Sequence, residues 1–450
     1  MMHRISEALK QIQGDLAKHL EPAAIEKLCR TARYHWRERV LDPVTTIHLF
    51  VLQILHGNIA CSALPHLAKK RFTASAYCQA RARLPLKILQ KLLNDVGQAL
   101  ESATDEAERW LGHRVFLLDG SSFSMPDTPE LQKKFGQPGA QKSGCGFPVA
   151  HLLLLFHAGT GLLRRVLASP LRTHDMSQAA AMHPELAPGD VLVGDRALCS
   201  FAHLALILQQ KLHAVFRLHQ RQLVDFRPQR AHQVPGRGKA RVGVPRSRWL
   251  RKLGVRDQLV EWFKPVQCPE WLTRKQFAAL PASLVLRELR YRVAQPGFRS
   301  REITLVTTLL DAAQYRSTAL AKLYRQRWRV ETHLSHLKRT MKMDVLRSET
   351  VPGVMKELTM FALVYNLVRV VMCEAARRQE VAVDRISFVD ALRWLSSAAA
   401  DEPLPELIVN PLRPDRIEPR VRKRRPKEYP LMNAPRDRLR KQLLAKGMDA

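Results

Sequence analysis

The chain has 450 residues, 46% of them hydrophobic, enough for one large core or two to three ordinary domains, which excludes disorder of the whole. Its 73 Lys and Arg against 41 Asp and Glu give a formal net charge of +32, which points to polyanionic partners, nucleic acid first; a membrane surface is disfavoured because the basic residues are spread out and no lipidation motif is present. Seven widely spaced cysteines without a CxxC pair argue against a disulfide framework and a zinc module, and fit a reducing cytoplasm.

Residues 1 to about 110 show helical spacing with turn breaks near Pro22, Pro43 and Gly57, and predict a helical N-terminal domain. Its first residues, MMHRISEALKQIQ, lack the apolar run of a secretory signal. Ile47 to Leu55 contains His48 and Gln53, which a bilayer does not favour, so it reads as a buried helix. Within SALPHLAKKRFTASAYCQARARL two short helices are separated by Arg71 to Thr73, with Thr73 or Ser75 as the cap of the second. They form either a helix-turn-helix that presents Arg81 and Arg83 to DNA or two bundle helices with solvated charges.

From Val115 short apolar runs follow one another: VFLLDG, VAHLLLLFHA, LLRRVLAS, DVLVGD and HAVFRLH, with helical patterns at Met176 to Leu186 and Phe201 to Lys211. That order predicts a mixed sheet flanked by helices. Residues 217 to 256 then hold twelve Lys and Arg and one acid, Asp225, a composition that suits contact with DNA. Strand patterns return at DQLVEWFKP, SLVLRELRYRV and EITLVTTLL, and alternation in the second puts Leu284, Leu286 and Leu289 close to one side. Ser317 to about Lys342 and Pro352 to about Arg378 are helical; the polar Lys356, Glu357, Asn366 and Arg369 mark the second as a core helix rather than a membrane span. Residues 413 to 446 carry thirteen Lys and Arg against four acids, which predicts a disordered arm on phosphates.

The segment LYRQRWRVETHLSHLK concentrates the chemistry. At about 100° per residue, Tyr324, Arg327, Glu331 and Lys338 share a narrow stripe beside an apolar one of Leu323, Val330, Leu334, Leu337 and Met341. An acid so placed binds a metal while Arg and Lys hold phosphate oxygens, or else Arg327 and Glu331 are a plain i,i+4 ion pair. Two upstream apolar runs end in an acid, Asp119 in VFLLDGSS and Asp195 in DVLVGDRALCS, although Asp-Gly also makes ordinary turns. Asp127, Asp175 and Asp190 end no apolar strand and read as capping or turn residues.

The spacing Tyr324-x2-Arg327-x3-Glu331-x6-Lys338, with Trp328 directly after the Arg, resembles the signature of the insertion-sequence-four, or YREK, family of bacterial DDE transposases. The resemblance covers residues 115 to 375, including FALVYNLVRVVM, and the N-terminus more loosely. It implies that Glu331 completes a metal-binding triad with Asp119 and Asp195, whose DGS and Gly-Asp-Arg contexts resemble the family's motifs, on an RNase H-like sheet. Arg196, Tyr324, Arg327, Trp328 and Lys338 are then expected on DNA. Two Mg²⁺ ions, replaceable by Mn²⁺, would activate water and stabilise charge at phosphorus. The long gap before Glu331 is expected to hold a β-rich insertion in which Trp249, Trp262 or Trp271 stacks on an extruded base, unless these are buried anchors.

The expected fold is α/β: an RNase H-like mixed sheet with a β-rich insertion at about 217–310, in a catalytic core spanning 111–378. A helical domain at 1–110, with DNA-end binding as one role, precedes it, and a helical segment with a basic Pro-rich arm at 379–450 follows. The expected function is cleavage of element ends and strand transfer, cut-and-paste through a hairpin, by a homodimer on terminal inverted repeats and target DNA in a bacterial cytoplasm at the nucleoid. No membrane and no small-molecule substrate are involved. The competing readings are a DNA-binding regulator or domesticated transposase without catalysis, and a repair nuclease on the same core.

Overall fold

The strand Val191–Gly194 is only four residues long and buried throughout, as a run of Val, Leu and Val requires between two parallel neighbours. It is β4 of a nine-stranded mixed sheet in a computed structural model that describes residues 9–10, 12, 14–102, 109–173, 175–233, 243–293, 302–397, 403–412 and 431–445. The other strands are β1 (Val115–Ser124), β2 (Val149–His157), β3 (Leu163–Pro170), β5 (His213–Arg217), β6 (Arg248–Gly254), β7 (Asp257–Phe263), β8 (Ser283–Arg292) and β9 (Glu302–Thr307). Their order is β3-β2-β1-β4-β5-β9-β8-β7-β6; β1, β4 and β5 are parallel, and every other neighbouring pair is antiparallel.

The two faces of the sheet carry different cores because side chains alternate along a strand. Leu117, Val193 and Val215 join the larger core, while Phe116, Leu118, Leu192 and Phe216 join a second one on the opposite face. Ahead of β1 lie the helices α1 (Gly14–Leu20), α2 (Pro22–Thr31), α3 (Pro43–Leu55), α4 (Leu64–Ala68), α5 (Ala74–Arg83) and α6 (Leu86–Ser102). Proline sits in the first turn of α3, where no N–H is missed, and Asp42 Oδ1 accepts from Thr45 N at 2.6 Å. Every residue of α3 is buried, and His48 Nε2 and Gln53 Nε2 bond to the Leu20 and Ile59 carbonyls.

After β1 come α7 (Pro129–Phe135), α8 (Asp175–Ala179), α9 (Phe201–Gln209), α10 (Arg274–Ala278), α11 (Ser317–Arg325), α12 (Arg329–Ser335), α13 (Val351–Arg378), α14 (Phe388–Ser397) and α15 (Arg436–Ala445). Helix α13 is long and apolar enough to cross a membrane by composition, yet it is the central helix of the larger core. Its polar residues are bonded inside the protein: Asn366 holds both backbone groups of Leu163, and Arg369 Nε donates to the Thr160 carbonyl at 2.8 Å.

Four local expectations change. Met176 to Leu186 is not one helix, because Pro184 lies in a 3-10 segment, Ala180–Glu185, that follows α8. Leu284 and Leu286 face the second core but Leu289, at odd spacing from them, faces the first. The basic stretch after β5, read only as a DNA-contacting segment, contains an edge strand, β6, and β6 to β8 extend the main sheet beyond β9. Finally Arg81 turns inward: its guanidinium lies 3.9 Å from the centre of the Phe50 ring and donates to Gln53 Oε1. The segment 234–242 and the RVRKRRPK of the C-terminal arm lie outside the described residues.

Candidate active site

Asp119 is borne on β1 at an intermediate burial, with its Oδ1 accepting from Gly120 N at 2.9 Å. Contrary to expectation β1 does not end there but runs on to Ser124. Asp195 directly follows β4, where it caps a 3-10 turn, Arg196–Leu198, by accepting from Ala197 N at 2.7 Å. Leu118 and Gly194 are register partners of the parallel pair, so the two aspartates occupy the next position on strands that lie about 4.8 Å apart. Asp119 shares the parity of Leu117, and Asp195 that of Val193, which puts both on the face of the larger core. Gly194 is required by close packing: a Cβ there would stand 2.6 Å from Leu198 Cδ1 and 3.1 Å from the Phe216 ring.

Helices α11 and α12, with the turn that follows them, cover that face through Leu320, Leu323, Val330 and Leu337. The helix is not regular. A 3-10 turn, Gln326–Trp328, separates α11 from α12, and a π turn, His336–Thr340, ends it, so the single stripe predicted from uniform spacing is broken. Tyr324 and Arg327 are buried, Lys338 is half-buried, and the Glu331 side chain is 57% exposed. Burial pushes the Tyr324 phenol up, against the pull of Arg327 and Arg217, so it stays neutral.

Arg327 joins strand to helix: its Nη1 donates to Asp119 Oδ2 at 2.9 Å, its Nη2 lies 3.6 Å from Glu331 Oε1, and its Cζ sits 4.6 Å from the Trp328 ring centre. Trp328 therefore packs on Arg327. Lys338 Nζ donates to the Ser122 carbonyl at 2.7 Å and approaches Ser121 Oγ, which fastens the π turn to β1. Arg196 is exposed and donates to Gln220 Oε1 at 2.7 Å.

Carboxylate oxygens from Asp119, Asp195 and Glu331 are the donor set that a hard divalent cation prefers. Among the described residues no three His, Cys, Asp or Glu side chains converge as a metal site. The cation now between Asp119 and Glu331 is the guanidinium of Arg327. Of the other acids, Asp190 is committed to Arg114 and to Ala187 N, and Asp127 accepts from Gln132 Nε2.

Sequence reasoning missed the support behind the helix. His333, two residues after Glu331, is buried with Nδ1 3.0 Å from the Tyr365 hydroxyl, which donates to the Gly161 carbonyl. Burial, with Arg369 nearby, holds its pKa well below the ordinary histidine range. Gly161 has φ +70°, and a Cβ there would strike Arg369 and His333. The signal lay in FALVYNLVRVVM, whose Tyr365 and Arg369 are polar residues inside an apolar run. Trp262, one of three stacking candidates, is a buried anchor whose Nε1 donates to Glu288 at 2.9 Å.

A family model described as a transposase DDE domain matches residues 110–367, more than half of the chain. The chain is 24% identical over 375 residues to the transposase InsG for insertion sequence element IS4 of Escherichia coli K12, covering 79% of this chain and 78% of that protein. It is 28% identical over 138 residues to the putative transposase InsZ of the same organism, covering 30% of this chain and 46% of that one. Among solved structures, a piggyBac transposase synaptic complex with hairpin DNA matches with a TM-score of 0.40 and 12% identity, over 87% of this chain and 76% of that chain. The Tyr-Arg-Glu-Lys helix and the two aspartates lie inside the matched domain, and the chain belongs to the DDE transposases, in their insertion-sequence-four family.

Proposed function

We propose that this transposase cuts the ends of its own element and joins them to target DNA, with Asp119, Asp195 and Glu331 as the carboxylates that hold two Mg²⁺ ions. The observation that carries this reading is the side-by-side position of Asp119 and Asp195 on parallel strands, on the face covered by the helix of Glu331. The order β3-β2-β1-β4-β5, antiparallel up to β1 and parallel beyond it, supports an RNase H-like core with β6 to β9 as its insertion. Ions bound there supply an activated water and stabilise charge at phosphorus.

The chain's own residues do the rest. Arg327 exchanges Asp119 for a backbone phosphate, to which its planar fork is equally suited. Glu331, exposed at the rim, turns toward the aspartates once Arg327 has let go. Lys338 keeps the helix on β1 and borders the DNA path, and Arg196 reaches phosphates from the far side of Asp195. The basic stretch 217–256 and the arm 413–446 neutralise further phosphates, and the N-terminal helices contact the element's end. Two copies act on paired inverted repeats at the nucleoid, by cut-and-paste through a hairpin.

The experiment is incubation with a plasmid carrying both element ends in Mg²⁺ or Mn²⁺, followed by a denaturing gel. Release of the element, with end fragments migrating as strands of double length, is expected. Open ends without hairpins would overturn the hairpin route, and ends left uncut in both metals would overturn the catalytic reading.

A further inference from the structure

Glu357, on α13, is wholly buried and lies outside the carboxylate site, yet three donors converge on it. Asn58 Nδ2 lies 2.6 Å and Arg347 N 3.0 Å from its Oε1, and Ser348 N lies 2.9 Å from its Oε2. A carboxylate is the one side chain that accepts from all three at once with charge-assisted strength. Asn58 follows α3 and has a left-handed backbone, φ 54°, so the acceptor meets it at a fixed corner. Arg347 and Ser348 belong to the strap 341–350 that leads from the helix of Glu331 into α13.

That strap is stitched to the strand of Asp119. Ser124 N donates to the Asp344 carbonyl at 3.1 Å, and Leu346 N donates back to the Ser124 carbonyl at 3.2 Å. Thr128 Oγ1 donates to the Glu349 carbonyl at 3.0 Å. On the other side Arg81 reaches Ser348 Oγ from its seat on Phe50, while Lys356 Nζ donates to the Arg81 and Ala82 carbonyls at the end of α5. One buried carboxylate thus lies where β1, the end of the Glu331 helix and the N-terminal helices meet.

We propose that Glu357 is a positioning residue for the active site: by holding Arg347 and Ser348 it fixes the strap, and through the strap the placement of the Asp119 strand relative to the helix of Glu331 and to α3. This rests on the reading of Asp119 and Glu331 as catalytic carboxylates. Glu357→Ala takes this acceptor from the buried Asn58 amide and from the Arg347 and Ser348 N–H groups, so the strap loosens from α13. Glu357→Gln keeps an oxygen for Arg347 N and Ser348 N. Its amide meets Asn58 Oδ1, which is buried and unbonded as the side chain now stands, once that amide turns over.

The test uses the full chain, with and without Mg²⁺, on a DNA fragment carrying an element end. Glu357→Ala is expected to bind the fragment within about threefold of wild type and to cleave it about tenfold more slowly. Hydrogen exchange in the metal-free protein is expected to quicken in peptides covering 120–126 and 341–350, and Glu357→Gln to restore both readouts to within about threefold. Wild-type cleavage and exchange in Glu357→Ala would overturn the proposal, as would a slow Glu357→Ala with unchanged exchange at 120–126. Should Glu357→Ala fail to fold, Asn58→Ala removes only the helix-side donor; faster exchange at 341–350 with cleavage slowed by about threefold supports the proposal, and wild-type behaviour overturns it. Asp119→Ala in the same series separates the two layers. If it still cleaves, the carboxylate reading fails; if it is inactive while Glu357→Ala matches wild type, only the positioning role fails.

Discussion

The guanidinium of Arg327 donates to Asp119 at 2.9 Å and stands 3.6 Å from Glu331, so one cation ties the carboxylate of a strand to that of a helix. Two acids this close repel unless a positive charge is shared between them. In the protein alone Arg327 supplies that charge from a nearly buried position, with its own Nε left without a hydrogen-bond partner.

Arg327→Ala should therefore destabilise the metal-free protein by about 2 kcal/mol, since it removes the buried cation beside the half-buried Asp119 carboxylate. Mg²⁺ should stabilise the variant more than it stabilises wild type, because a bound cation then takes over a role that Arg327 fills in wild type. Denaturant unfolding with and without Mg²⁺ measures both quantities. An equal metal increment in the two proteins would mean that Arg327 is no counter-ion at the proposed metal site.

Arg81 and Arg83 lie two residues apart at the end of α5 but face different surroundings. Arg81 is stacked on Phe50 and bonded to Gln53 and Ser348, whereas Arg83 is exposed. Replacing Arg81 by Ala should lower stability by about 1–3 kcal/mol through lost stacking on Phe50 and lost hydrogen bonds to Gln53 and Ser348. Arg83→Ala should leave the unfolding midpoint in place and weaken DNA binding in low salt. The opposite pattern, with Arg81→Ala harmless to stability, would restore the expectation that Arg81 faces DNA.

Glu288, buried on β8, gives the fold a pH dependence. Burial raises its pKa above the ordinary 4.5, opposed by hydrogen bonds from Trp262 and Gln258 and by Arg230 and Arg290. The folded chain thus holds this proton more tightly than the unfolded one, so the contribution is fully present below pH 4.5 and is lost as pH rises through the folded value. Glu288→Gln removes the titration while keeping the shape. Its stability relative to wild type should climb as pH is raised from 4 to 8 in urea unfolding; a constant difference would show that Glu288 does not titrate in that window.

Much of the candidate site was legible because its chemistry sits where apolar pattern stops. Asp119 and Asp195 each follow four apolar or small residues, and a side chain that interrupts such a run at a core strand stands out. The spacing of Tyr324, Arg327, Glu331 and Lys338 carried the family. What the pattern hid was geometry that one-dimensional spacing does not encode. Uniform helical arithmetic gave no warning of the 3-10 and π turns, and these separate the depths of Arg327 and Lys338. Strand β6 was overlooked since an edge strand reading RWLRKLG points charges outward and buries little. Arg81 and Glu357 carry no periodic mark of burial, because a polar group goes inside only when partners distant in sequence satisfy it.

The central claim is that Asp119, Asp195 and Glu331 act on bound DNA through metal, and gel-shift combined with nicking on one DNA fragment carrying an element end tests it most directly. Carboxylates next to phosphates oppose binding when no metal is present and position the reaction when it is. Each of Asp119→Ala, Asp195→Ala and Glu331→Ala should bind the fragment as tightly as wild type or more so, and should fail to nick it in Mg²⁺ or Mn²⁺. Asp127→Ala, at an exposed acid that accepts from Gln132, should nick normally. A wild type that binds without ever nicking, or any of the three variants nicking at the wild-type rate, would contradict the account.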